Sequence, residues 1–331
     1  PYIFILCCFM GAFNMSFISN DYINSIERGY GDSDKKLCHE CIGNKSLKEY
    51  IKANGYVCTC DYCGQRRKAV NLDSFMVIIM SGVNFLYTHA VNELPCDSGE
   101  YIGKTYTTAQ LIFEELRDEI DAQDERILKD IVEIMYDDIW CDADPFSDRE
   151  EDVAYYDWQS FCKMVKEKVR YVFYRATPDT SFNENPTTIL DTLAYYAERV
   201  RLDRRIDKNT KMYRCRTHEN DEWRTAYADF APPPPWVATS GRMNAAGINV
   251  LYLTLDPNTA LCETRTSGRD YATIASFRVT ESIRVLDLTK IKKMSIPSIF
   301  DEDNRHNRSP VMFLQKFAEN ISQPRSNKNI D

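Results

Sequence analysis

Two C-x2-C knuckles constrain this chain more than any other feature: Cys38-His39-Glu40-Cys41 and Cys60-Asp61-Tyr62-Cys63. The interval between them is that of a zinc ribbon, and four thiolates suit tetrahedral zinc. A closed shell of four cysteines leaves no open coordination position. The metal is therefore expected to be structural, supplying folding energy to a segment too small to build its own core. Four unrelated thiols are the plain alternative, with Cys58 a spare for Cys60 and His39 a bystander. Between the knuckles, Ser46 to Glu49 reads as a capping box opening a helix that stops at Asn54-Gly55.

Only four of twelve cysteines are used this way, and the rest form no regular framework. A reducing cytoplasm is the simpler expectation. A chain of 331 residues has room for two or three domains, and a net charge of -9 argues against non-specific nucleic-acid binding while leaving a local basic patch open. The apolar opening PYIFILCCFMGAF has no basic residue before Arg28 and is too short to span a bilayer. Residues 1–14 are read as non-native or disordered, with Met15 as a start. No later segment is apolar for long enough to be a membrane span.

Periodicity places a helix over 16–30, then a helical run from 72 to about 205. Its expected helices cover 75–94 (capped by Asp73 or Ser74), 109–121 (capped by Thr107 with Gln110), a third marked by Ile127, Leu128, Ile131, Ile134 and Met135, then 153–174 and 188–200. The acid-rich stretch 114–125 reads as a solvated face. Beyond Arg205 the pattern changes to α/β, with strands expected over 212–216, 273–279 and 283–288 and a helix over 311–321. Pro232 to Pro235 is expected to be extended, leading to Trp236.

The stretch 241–263, GRMNAAGINVLYLTLDPNTALCE, carries the chemistry. Residues 248–254 read as a buried strand, and Asn258 or Thr259 is placed to cap a short helix bearing Glu263. An arginine, a tyrosine and a carboxylate would then converge near one strand end, a group suited to an anionic ligand whose reacting centre becomes cationic. A core strand beside an ordinary surface helix accounts for the same pattern.

GRMNAAGINVLYL followed by TALCE, with the prolines upstream, resembles the core signature of RES-domain proteins. The resemblance implies a bacterial toxin or defence enzyme, often one of a toxin–antitoxin pair, that degrades NAD on a fold related to ADP-ribosyltransferases. The order ribbon, helices, RES motif further resembles architectures with a HEPN-like domain in front. His89, the only histidine in the helical run, lacks the preceding arginine of HEPN ribonucleases, so nuclease activity is not carried over. HEPN-like bundles often dimerise, which admits a homodimer.

The expected fold is thus multidomain, α + α/β: helix and zinc ribbon over 15–70, HEPN-like helical domain over 71–205, and over 206–331 a RES domain with an ADP-ribosyltransferase-like mixed sheet. That domain reads as truncated before its last serine-bearing strand. By motif position, Arg214, Arg242, Tyr252 and Glu263 resemble the RES active-site residues, and Asn244 shares the turn with Arg242 as a contact for NAD. Arg216 competes with Arg214, and both are expected on one side of their strand. The absence of a Glu-x-Glu at Cys262-Glu263-Thr264 favours loss of nicotinamide from free NAD, to water or phosphate, over ADP-ribosylation of a macromolecule. A zinc-ribbon adaptor with a damaged RES domain is the non-catalytic alternative. Expected partners are NAD and an antitoxin or inhibitor protein, with no membrane.

Overall fold

The two cysteine knuckles fold against a three-stranded sheet. Strands β1 (Lys36–Cys38) and β2 (Tyr56–Thr59) each pair antiparallel with β3 (Arg66–Asn71) between them. This computed structural model describes residues 28–167, 188–218, 221, 224–239, 247–264 and 271–322. The expected helix over 16–30 lies almost wholly outside the described residues. Helix and strand are mixed throughout, with small sheets, as a multidomain α + β chain requires.

The chain divides into two compact units. One holds residues 1–148 and Pro297–His306, the other Arg149–Ile296 and 307–331. In the first, helix α1 (Lys45–Asn54) joins β1 to β2, and it starts earlier than the expected box. Its cap is Asn44, whose Oδ1 accepts from Leu47 N at 3.2 Å, while its Nδ2 donates to Glu119 O and Ser298 Oγ. An asparagine that also secures two distant segments outcompetes a serine that would serve the helix alone. Gly55 then lets α1 pass close to β3, since a Cβ there would lie 2.4 Å from Ile51 O and 2.8 Å from Ala69 O.

Helix α2 (Leu72–Leu86) is the centre of this unit, with Leu72, Phe75, Met76, Ile79 and Val83 fully buried. It ends eight residues short of expectation because β4 (Tyr87–His89) pairs with β6 (Ile139–Asp142), which also pairs with β5 (Tyr106–Thr107). Sheet hydrogen bonds thus replace the helical ladder beyond Leu86. The Thr107–Gln110 capping box is present in both directions, at 3.2 and 3.0 Å. The helix it opens is interrupted by a π-turn over Leu111–Glu115 and closes at Asp121, in the left-handed region at φ 51°. Helix α3 (Glu125–Ile134), capped by Asp124, buries Ile127, Leu128 and Ile131 as its spacing predicts.

The returning segment Pro297–His306 completes this core. Ile299 and Phe300 are 0% and 2% exposed within it. The Phe300 ring leaves no room for a side chain at Gly82, where a Cβ would sit 2.4 Å from it. Ile299 N donates to Glu119 Oε1 at 3.2 Å, so at least one acid of the expected solvated face is spent inside. Arg305 lies over the Phe85 ring at 4.9 Å and donates to Ser81 O at 2.8 Å.

The second unit contains α4 (Glu150–Glu167), α5 (Thr188–Arg199), β7 (Asp203–Ile206), β8 (Lys211–His218), α6 (Pro257–Glu263), β9 (Tyr271–Arg278), β10 (Ile283–Leu286) and α7 (Arg308–Ser322). Helices α4 and α5, expected with the helical domain, pack with α7 around Phe161, Ile189, Tyr196, Phe313 and Phe317. The expected mixed sheet is represented, among the described residues, by two antiparallel pairs, β8 with β9 and β10 with β7. No described helix is long and apolar enough to cross a membrane.

Candidate functional site

The four knuckle cysteines gather at one point. Cys38 Sγ lies 3.6 Å from both Cys41 Sγ and Cys63 Sγ, and Cys41 Sγ lies 3.8 Å from Cys60 Sγ. All four sulfurs fall within 4.8 Å of one another. A tetrahedron with Zn–S bonds of about 2.3 Å has sulfur–sulfur edges of about 3.8 Å, so the group fits a metal ion such as zinc. Burial pushes the Cys38 and Cys41 thiols up, whereas the backbone N–H of Gln65 draws exposed Cys63 down to about 7. His39 turns its Nδ1 to Lys68 O at 3.1 Å, outside the cluster, and Cys58 is likewise not part of it.

A second group forms on β8. This strand pairs with β9 over eight residues, placing Arg214 opposite Ala275, Arg216 opposite Thr273 and His218 opposite Tyr271. Alternation puts the two arginines and the histidine on one face and Tyr213, Cys215 and Thr217 on the other. Arg214 Nη1 donates to Phe230 O at 2.9 Å and Ala231 O at 3.2 Å, carbonyls ending the short helix Tyr227–Phe230. Burial, then the charge of Arg216, lowers the Arg214 pKa. Arg216 Nε is buried with no hydrogen-bond partner among the described residues. Neither guanidinium is paired with a described carboxylate.

The other edge of β8 meets Thr254, which exchanges backbone hydrogen bonds with Tyr213 at 2.7 and 2.9 Å. Beyond this bridge, 248–254 is not a strand. Ile248 and Tyr252 are each 44% exposed, so the β-branched run is neither laddered nor buried. Asp256 caps α6, accepting from Thr259 N at 2.7 Å, with Pro257 at the first helical position, so neither Asn258 nor Thr259 is the cap. Thr264 Oγ1 reaches Cys215 Sγ at 3.9 Å, on the face turned away from the arginines.

Two stretches of the chain match known domain families. Residues 53–179 match HEPN/RES N-terminal domain 1, and residues 211–326 match the RES domain. The chain is a RES-domain protein with a HEPN/RES N-terminal domain. No curated protein and no solved structure matches it. At family level the RES domain implies a toxin-like, NAD-related function.

Within the RES segment the expected residues stand apart in part. Arg214 and Arg216 are side by side. Glu263, exposed in the last turn of α6, makes no hydrogen bond or ion pair with either among the described residues. Tyr252 lies two residues before the Thr254 bridge. Arg242 and Asn244 lie outside the described residues. Pro232 to Pro234 have no regular structure, and the chain turns after them, with Val237 N donating to Pro234 O and Trp236 85% exposed.

The RES segment also holds a residue that reading the motif missed. His218 is only 9% exposed, shares the face of Arg214 and Arg216, and sets Nε2 2.9 Å from Thr273 Oγ1 with its ring stacked on Tyr271. Its signal was the even-numbered parity it shares with the arginines, hidden by an expected strand that stopped at Arg216.

Proposed function

We propose that this RES protein cleaves the bond between nicotinamide and ribose in NAD. The observation carrying the proposal is the Arg214–Arg216 pair, two guanidiniums on one strand face of a RES domain with no described acid to neutralise them. Such a pair favours a pyrophosphate, since planar guanidinium groups grip phosphate oxygens through paired hydrogen bonds. Arg214 is held in place by the Phe230 and Ala231 carbonyls, and the unpaired Nε of Arg216 is a donor that a phosphate oxygen would satisfy.

In this reading the nicotinamide ring leaves as a neutral base, taking the electron pair of its bond to the ribose. Positive charge builds on the sugar, water or phosphate supplies the new bond at the anomeric carbon, and with water the spare proton passes to solvent. Glu263 is proposed to stabilise the cationic sugar, as carboxylates do in glycoside hydrolysis. Tyr252 would stack on the leaving ring, and Arg242 and Asn244 would hold the phosphates and ribose. The four cysteines are proposed to hold one structural zinc, remote in role from the chemistry.

Incubating the purified chain with NAD and following nicotinamide by chromatography tests the proposal. Release that disappears in an Arg214→Ala/Arg216→Ala protein of unchanged circular dichroism supports it. An unmodified chain that leaves NAD intact, with or without phosphate, refutes it.

A further inference from the structure

The chain is acidic overall, but its charge is unevenly placed. From Lys35 to Lys68 the sequence carries eight lysines and arginines against Glu40, Glu49 and Asp61, in a protein of net charge -9. A zinc–tetrathiolate, itself doubly negative, would leave that segment positive. The structure gathers much of this charge on the β2–β3 hairpin. Arg66, Arg67 and Lys68 are consecutive and all exposed, and β2 is the outer strand of its sheet. Lys68 Nζ bonds Lys52 O at 2.8 Å, which brings the end of α1 and the Lys52 backbone beside the hairpin.

Several basic side chains elsewhere in this unit are paired with acids, among them Lys35 with Asp130, Arg126 with Asp124 and Lys129 with Glu125. Among the described residues, Lys52, Arg66, Arg67 and Lys68 join no ion pair. A row of uncompensated cations raises the local potential and attracts a polyanion.

The hairpin also offers a ring. Tyr56 is 51% exposed, and its hydroxyl donates to Asn71 Oδ1 at 3.1 Å, so the ring is held rather than free. Register puts Tyr56 opposite Ala69 and Cys58 opposite Arg67, so Tyr56 and Arg67 share one face as diagonal neighbours. Val57, 58% exposed, shares the other face with Arg66 and Lys68. A pinned aromatic ring beside one guanidinium, with two more cations on the adjoining positions of the exposed hairpin, is a combination that binds single strands, with phosphates on the cations and a base on the ring.

We infer that the β2–β3 hairpin of the cysteine ribbon binds single-stranded nucleic acid without strong sequence preference. This goes beyond NAD cleavage and is independent of it. It also reverses, for this one surface, the expectation drawn from net charge.

Fluorescence anisotropy of the full chain tests it, using labelled oligo(U) and oligo(dT) of about 20 nucleotides, long enough for one binding site. Binding is expected at about 50 mM salt, with log K falling against log salt at a slope of about −2, the value for three phosphates on a single strand. Arg66→Ala/Arg67→Ala/Lys68→Ala should flatten that slope and weaken binding at least about tenfold at low salt. Tyr56→Ala should weaken it by about tenfold with the slope kept, and Tyr56→Phe should restore it. Equal binding of the two oligonucleotides, or preference for the ribose strand, both support the inference. No binding by the unmodified chain, unchanged binding by the triple variant, or equal affinity for a duplex or for phosphatidylserine–phosphatidylcholine vesicles would overturn it.

Discussion

Removing the Phe300 ring should loosen the first unit at α2, more than two hundred residues away in sequence. Phe300 is 2% exposed, lies in one core cluster with Phe75, Ile79 and Val83, and rests against Gly82. Replacing a core phenylalanine by alanine costs about 3–5 kcal/mol. Set against a stability of about 5–15 kcal/mol for a folded unit, that is a large share. Gly82→Ala should also destabilise, by about 1–3 kcal/mol, because its methyl would meet ring carbons at 2.4 and 2.5 Å. In a Phe300→Ala background the ring is gone and Gly82→Ala retains its helix-propensity gain of about 1 kcal/mol. The substitution should then change sign from destabilising to stabilising. Hydrogen exchange of α2 amides by mass spectrometry reads the local effect. Phe300→Ala should speed exchange by two to nearly four orders of magnitude, at about 1.4 kcal/mol per tenfold. The same sign for Gly82→Ala in both backgrounds would refute the argument that this ring fills the glycine's space.

Three further outcomes are expected. Cys60→Ser should abolish metal retention and unfold the ribbon while leaving the Arg214–Arg216 face intact, and elemental analysis finding no zinc in unmodified protein purified without chelator would end the zinc assignment. Glu263→Gln should slow nicotinamide release about a hundredfold, the effect of losing a transition-state electrostatic partner, while Arg216→Ala should chiefly raise the Michaelis constant, because phosphate charge is present before and after bond breaking; full-rate release by a folded Glu263→Gln protein would remove that residue from the mechanism. Asp124, capping α3, is held below its ordinary pKa of 3.8 chiefly by Arg126; its contribution to stability is therefore complete above about pH 4 and lost as pH falls through the lowered value, a dependence that acid titration of Asp124→Asn should no longer show.

Much of the local structure was legible in the residues themselves. Two C-x2-C knuckles predict that four sulfurs meet, and they do: the spacing sets the pair within each knuckle, and the pairing of β1 and β2 with β3 brings the two pairs together. The Thr107–Gln110 box and the Ile127–Leu128–Ile131 stripe are written in three- and four-residue steps, and both appear where those steps put them. The same holds for the parity of Arg214 and Arg216 on β8, a consequence of side chains alternating across any strand. The long ordered motif over 241–263 pointed to the RES domain found over 211–326.

What required the tertiary structure was every choice between local rules of equal merit. Residues 248–254 have strand composition, but a strand exists only where a neighbour supplies hydrogen bonds, and β8 supplies them at Thr254 alone. Ser46 is as good a cap as Asn44 until Glu119 and Ser298 arrive to reward the asparagine. Helix α2 has the pattern to run past Leu86, yet Tyr87–His89 finds β6 and leaves the helix. Ile299 and Phe300 close a short apolar run interrupted by Pro297 and followed by acids, too brief to specify an element, and their burial is decided by the distant core they join, where Gly82 leaves room for the Phe300 ring. Spacing along the chain determines what is decided within a turn or a strand repeat, whereas burial and strand pairing depend on which distant surface arrives, and that is settled by the energy of the whole fold.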